Sequence, residues 1–302
     1  MSLELSTSIP KPRIGTHPVP LTGDARTLVD SLVIELASEK IDLPSFPDVA
    51  MRVRRALTND EVGIEDAVKI VSAEPALAAR LMQLANSVTL NPGGKRLNNL
   101  RTAMARIGLN MACSVTIAFA MSQLRRAETY QGVQDRLGKL WHEGAHLAAV
   151  SRVIARRFTS LNADTALLAG LLLCIGKLYL LSRATRFPAL LDDDATLERV
   201  ASEYHLRVAQ AILRNWDMDV DIVKAIGGCG DQAREHAGSI DLTDVLIVSA
   251  ALIALGPEPQ PEHGSFPGMP AARRLGLDAD ACKAALAESR EEIQALRQAL
   301  NV

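Results

Sequence analysis

Apolar positions recur at helical spacing along almost the whole chain. Val49, Val53, Ala56 and Leu57 stand at i, i+4, i+7 and i+8, and Ile64, Ala67, Val68 and Val71 at i, i+3, i+4 and i+7. Each set falls on one face of a helix. Pro75 suits the first turn of the next helix, with Ser72 and Glu74 before it as capping candidates. Leu77, Leu81 and Leu84 line the inner face of that helix as far as Asn86 and Ser87. The Asn91-Pro-Gly-Gly94 loop interrupts the pattern. Leu100, Met104 and Ile107 then carry a helix to Gly108, and residues 109–126 form another. Nothing here alternates with period two, so helices are expected and strands are not.

A second block begins near Gln131. The pattern predicts a long helix over 135–157, then a run from Ala166 to Leu181 that is hydrocarbon except for Gly170, Gly176 and Lys177. At sixteen residues this run is just short of a membrane span, and it carries a charge. It is expected to be one central helix buried on most sides. Its two glycines would let neighbouring backbones come close. Helices over 196–215 and 219–227 flank Trp216, and Gly227-Gly-Cys-Gly230 stops the second. Val245–Leu255, eleven apolar residues, predicts another core helix. A single last helix over 279–300 would bury Leu286, Ile293, Leu296 and Leu300 and turn Arg and Glu to solvent.

Before and between these elements lie breakers. Residues 1–25, with Pro10, Pro12, Pro18 and Pro20, read as a flexible lead. Leu43-Pro-Ser-Phe-Pro47 is an extended turn between the first helix (26–39) and the second. Five prolines in 256–270 make a linker.

Composition narrows the class. Of 302 residues 48% are hydrophobic but only 3% aromatic, so the core must be aliphatic, which favours helix bundles over sheets. A net charge of −2 gives no global attraction to nucleic acid. The local clusters Arg52/Arg54/Arg55, Arg125/Arg126 and Arg156/Arg157 read as solvated helix faces. Cys113, Cys174, Cys229 and Cys282 are far apart and are expected to be reduced. The first thirty residues are polar, so neither secretion nor membrane anchoring is expected and a cytoplasmic location is.

Several segments together resemble the HDOD module, the HD-related output domain of bacterial signalling proteins. They are Leu43–Pro47, Glu74-Pro-Ala-Leu through Ala85-Asn-Ser87, Leu100 through Gly108, Leu140-Trp141, Gly170-Leu-Leu-Leu-Cys-Ile-Gly-Lys177, and His205 followed by Trp216. The resemblance spans roughly residues 30–255. It implies an all-α, multi-helix fold in which an N-terminal helical subdomain (26–127) packs on a degenerate HD-like helical subdomain (128–256), with linker and C-terminal helix (257–302) after it. HD proteins bind one or two metal ions through His and Asp and use metal-bound water as nucleophile. The resemblance places those ligands at positions that here hold Glu143, Leu173, Cys174, His205, Cys229 and Gly230. A leucine coordinates nothing, and one surviving His is too few.

The implied protein is therefore a non-catalytic signal-transduction regulator with no metal or cofactor, acting through protein partners and binding neither nucleic acid nor membrane. The last helix would cap the bundle or join two copies in a homodimer. Two enzymatic alternatives are weighed. Glu143, Cys174, His205 and Cys229 could form a residual zinc-like cluster for a phosphohydrolase acting on nucleotides, although Cys also fills cavities as a small hydrophobe. His142-Glu143-Gly-Ala-His146 matches H-E-x-x-H of zinc proteases. Positions 149 and 152 are Ala and Arg where a metzincin needs Gly and His, and the nearest candidate for a third, acidic ligand is Asp164. His205 reads more simply as a hydrogen-bonded residue near a helix start, Trp141 and Trp216 as core anchors, and Lys177 as a snorkelling helix end.

Overall fold

The computed structural model describes residues 21, 23–38, 41, 64–87, 90, 91, 93–124, 128–255 and 268–300. Residues 1–20, the Leu43–Pro47 turn, the helix expected through Val49–Leu57, Arg125 and Arg126, and residues 256–267 of the linker lie outside that set. Among the described residues there are helices and no strand, as the aliphatic composition and helical spacing demand.

Helix α1 (Gly23–Ala37) is followed by α2 (Ile64–Ser72), α3 (Pro75–Ala85), α4 (Leu100–Ile107) and α5 (Leu109–Leu124). Pro75 occupies the start of α3 as expected, but Glu74 before it makes no side-chain cap, and Ser72 belongs to the end of α2. The N-cap of α4 is Asn99, whose side chain accepts from the Thr102 N–H. Between α4 and α5 the chain bends by 107° at Gly108, whose φ of 83° an L side chain rarely adopts. Helices α2–α5 pack on one another, and α5 also lies on the second block.

That block starts with α6 (Gln134–Phe158). Then come α7 (Ala163–Leu172) and α8 (Ile175–Ala184), the four-residue α9 (Pro188–Leu191), α10 (Asp194–Asn215), α11 (Val220–Gly228) and α12 (Leu242–Leu255). The hydrophobic run is not one unbroken helix. It starts three residues earlier than expected, ends three later, and is interrupted at Leu173–Cys174. By length and hydropathy the stretch 163–184 could cross a membrane, yet 89% of its apolar window is buried inside the protein. α7 is packed by α5, α6, α11 and α12, and α8 by α10, which makes this stretch the centre of the fold.

Its glycines are required. A Cβ on Gly170 would come within 2.9 Å of the Ala148 Cα on α6, and one on Gly176 within 1.8 Å of the His205 carbonyl oxygen on α10. Two helices can approach this closely only where one presents no side chain.

The C-terminal region departs from expectation. A short helix that the pattern did not predict, α13 (Pro270–Leu275), comes first, and the expected last helix over 279–300 is two, α14 (Ala279–Glu288) and α15 (Arg290–Leu300), broken at Ser289. The break allows both to lie on α6, and α15 also reaches α3 and α5. Its stripe of Ile293, Leu296 and Leu300 is buried within the chain, so of the two roles expected for this segment the capping of the bundle is the one seen. Trp141 on α6 anchors it, donating Nε1–H to the Leu300 carbonyl at 3.1 Å.

Nor are all of its acids at the surface. The side chain of Glu292 is only 7% exposed, and both Arg152 and Arg156 pair with it. Arg152 also donates to Asp164 of α7 at 2.8 Å, and Arg157 pairs with Glu288 at 2.7 Å. The Arg156/Arg157 cluster is thus an inter-helix clamp rather than a solvated face. Removing one partner of a buried pair leaves an uncompensated charge, which costs more than the pair itself contributes.

Two stability predictions follow from this packing. Gly176→Ala should lower unfolding free energy by roughly 3 kcal/mol, at the upper end of overpacking costs, whereas Gly93→Ala, with open space around it, should change it little in urea titrations. Glu292→Leu should cost about 3 kcal/mol, and Arg152→Leu added to it should recover part of that loss.

Candidate functional site

The positions to which the HD resemblance assigns ligands sit on elements that the fold brings together. Glu143 is on α6, Leu173 and Cys174 are at the α7–α8 break, His205 is in the middle of α10, and Cys229 and Gly230 follow α11. α6 packs on α7, α8 on α10, and α11 on both α7 and α10. Their donor atoms nevertheless do not converge. No three of Glu143, Cys174, His205 and Cys229 bring ligand atoms within 4.8 Å of one another.

Local geometry explains this. Cys174 is buried and its thiol donates to the Leu171 carbonyl at 3.0 Å. Burial pushes that thiol up to about 12, so it stays protonated at neutral pH. Its sulfur lies 3.1 Å from where a Cβ on Gly144 would stand, so α6 is seated directly on it. Cys229 behaves alike, donating to the Ile226 carbonyl at 3.2 Å with its pKa pushed up to about 12 by burial. A Cβ on Gly230 would meet the Leu206 side chain.

His205 is not a helix-start residue: it lies in the interior of α10, because that helix begins at Asp194. Its Nδ1 stands 2.7 Å from the Ala201 carbonyl, one turn back, which assigns the proton to Nδ1. Burial lowers its pKa, and the nearby Lys177 ammonium acts in the same direction. Lys177, in the first turn of α8, reaches outward to Glu198 on α10 at 3.4 Å, as a snorkelling helix end does. Trp141 and Trp216 are both buried, as core anchors should be. The residues present do not fit a metal centre. Two, Leu173 and Gly230, lack any side-chain donor, two are protonated thiols bonded to carbonyls three residues back, and the carboxylate of Glu143 is at the surface.

Glu143 instead faces a cavity of about 520 Å³ between α6, α8 and α10. Three cations there, Arg136, Lys139 and Lys177, are matched by three acids, Glu143, Asp194 and Glu198. Such a balanced lining selects no ligand charge.

The H-E-x-x-H pattern does not assemble either. His142 Nδ1 is 2.7 Å from its own helix carbonyl at Gly138. His146 lines a different cavity, against α12, α14 and α15, while Asp164 is held by Arg152. No set of three ligand atoms includes both histidines.

Sequence reading passed over one set that does converge: His236, Asp241 and Asp244. Asp244 is fully buried, accepting from the Asp241 N–H at 3.1 Å, from Arg234 at 3.2 Å and from His236 Nε2 at 3.0 Å, with Arg274 Nε 3.4 Å away. Asp241 pairs with Arg234 at 2.5 Å, which helps to hold its carboxyl below the usual range despite the opposing effect of burial. Two guanidinium groups already compensate two carboxylates here. The set clamps the loop before α12 to α13 and offers no free ligand. Its sequence signal was faint: an Asp three residues before another at a helix start.

Comparison with known proteins now has a geometry to attach to. The family model of the HDOD domain matches residues 43–228, more than half of the chain. The chain belongs to the HDOD family. Solved structures agree on the fold. A Shewanella amazonensis SB2B protein provisionally described as a metal-dependent phosphohydrolase superposes with a TM-score of 0.70 at 21% identity, over 91% of this chain and 99% of that one. An HDOD domain protein of unknown function from Geobacter sulfurreducens gives 0.65 at 23% identity, over 92% and 99%. A Marinobacter aquaeolei VT8 protein provisionally described as a signal transduction protein gives 0.59 at 18%, over 93% and 67%. In sequence, an uncharacterized protein of Treponema pallidum (strain Nichols) is 22% identical over 69% of this chain, and the match spans 41% of that relative's length. The HDOD match ends with α11, so α12–α15 lie beyond it.

Because their pKa values are raised by burial, Cys174 and Cys229 should react with iodoacetamide at pH 8 about tenfold or more slowly in the native protein than in urea. Peptide mapping by mass spectrometry measures both sites at once. Rapid native labelling of Cys174 would contradict the packing described.

Proposed function

We propose that this HDOD protein is a non-catalytic regulatory module of bacterial signal transduction, located in the cytoplasm and acting through contacts with a protein partner. The observation that carries the reading is the Leu173–Cys174 turn. Where an HD hydrolase needs its central His–Asp pair, this chain has a side chain with no donor and a buried thiol bonded to the Leu171 carbonyl. A divalent ion held by oxygen and nitrogen donors needs several of them at one point. The fold is retained around a centre whose polar groups are turned back on their own helices. The mixed charge of the neighbouring cavity and the chain's net charge of −2 both speak against a polyanionic partner.

The alternative is a residual metal-dependent phosphohydrolase, the activity in the provisional description of the Shewanella neighbour. At 21% identity that likeness is one of fold, and no donor arrangement among the described residues favours the activity.

Elemental analysis of the purified protein with and without added Mn²⁺, run beside hydrolysis assays on nucleoside triphosphates and cyclic dinucleotides, separates the two. Neither a stoichiometric ion nor turnover above that of His205→Ala is expected. One bound ion per chain, with turnover abolished in His205→Ala, would refute the regulatory reading.

A further inference from the structure

A second cavity has a charge pattern that the fold does not account for. It holds about 820 Å³ between α6, α12, α14 and α15. Its ionisable lining is Lys283, Arg290, Arg297 and His146, with no carboxylate among the described residues. Elsewhere on the same face each arginine has its acid: Arg152 and Arg156 on Glu292, and Arg157 on Glu288. Lys283, Arg290 and Arg297 have no such partner among the described residues. Three like charges around one concave space repel one another, and low-dielectric walls strengthen the field between them.

Two buried polar atoms sharpen the point. His146 Nδ1 on α6 and Arg297 Nε on α15 belong to side chains that line this cavity from different helices, and each is buried without a hydrogen-bond partner among the described residues. Most buried polar atoms in native proteins are satisfied, and an unsatisfied one costs free energy. The rest of the lining is apolar, including Leu252, Leu286 and Ile293, with the amides of Gln294 and Gln298 at the edge. A lining that holds both cations and hydrocarbon suits a molecule with a charged head and an apolar body, and the volume lies in the range of small-molecule sites.

We propose that this cavity binds a small organic phosphate, with its phosphate held by Lys283, Arg290, Arg297 and His146 and its body against Leu252, Leu286 and Ile293. The site owes nothing to the HD positions, since Glu143, Cys174 and His205 do not line it. It is built largely from α12, α14 and α15, beyond the residues that the HDOD family model matches. Because α15 also touches α3 and α5, an occupied cavity would brace the C-terminal helices against both blocks of the fold.

Isothermal titration of the full chain with AMP, ATP and hexyl phosphate, against adenosine and hexanol as uncharged controls, tests the proposal. At least one phosphate should bind with a Kd below about 1 mM, its uncharged control at least tenfold more weakly, and binding should weaken as salt is raised. Arg297→Gln and Arg290→Gln should each weaken that phosphate about tenfold or more, the scale of a lost charge-assisted contact. Arg290 is exposed, so its variant keeps the test valid should Arg297→Gln unfold. Without ligand, Arg290→Gln should melt no lower than the parent, because it removes a repulsion. The proposal is overturned if no phosphate binds, if the uncharged controls bind equally well, or if neither arginine variant changes affinity. Metal content and hydrolysis do not enter this test, so its failure leaves the regulatory reading standing and the converse also holds.

Discussion

The fold depends on helices meeting backbone to backbone along the central hydrophobic stretch. Gly170 lets α7 rest on Ala148 of α6, and Gly176 lets α8 rest on the His205 carbonyl of α10. Side chains at those points would hold the helices apart and leave voids that the surrounding Leu, Ala and Val could not fill. The same approach presses Gly144 onto the sulfur of Cys174. The packing that seats the core therefore also buries the Cys174 thiol.

Charge organises the second half of the chain as strongly as hydrocarbon does. Glu292 and Asp244 are buried carboxylates, the first held by Arg152 and Arg156 and the second by Arg234 and Arg274, and each fastens a C-terminal element to the bundle. Buried ion pairs contribute little net free energy compared with a well-packed apolar core. Their effect here is to specify which helices meet, since either carboxylate left without its arginines would be severely penalised. Against this regular pairing, the three uncompensated cations at the cavity below α14 and α15 stand apart.

At the positions to which the HD resemblance assigns ligands, the polar groups of this HDOD fold satisfy themselves locally. His205 bonds Ala201, Cys174 bonds Leu171 and Cys229 bonds Ile226. Each of these is a helix side chain bonding a carbonyl three or four residues back. Fold and chemistry are separable because packing needs only shape and apolar surface, whereas catalysis needs donors at fixed mutual distances.

What the chain's own residues determined is local. Helical periodicity, Pro75 at a helix start and the helix end at Gly108 could all be read without a structure, since each depends on neighbours within a few positions; Gly170 and Gly176 showed that some backbone could come close, but not which. The family could be read as well, and so could the want of a ligating side chain at Leu173 and Gly230, because a residue type alone settles whether it can ligate. Tertiary structure decided the rest. The breaks at Leu173–Cys174 and Ser289, the burial of Glu292, the clamp at Asp244 and the cationic cavity all depend on groups far apart in sequence. A helical pattern says which face is apolar but not which helix will cover it, and a charge is paired or unpaired only through space.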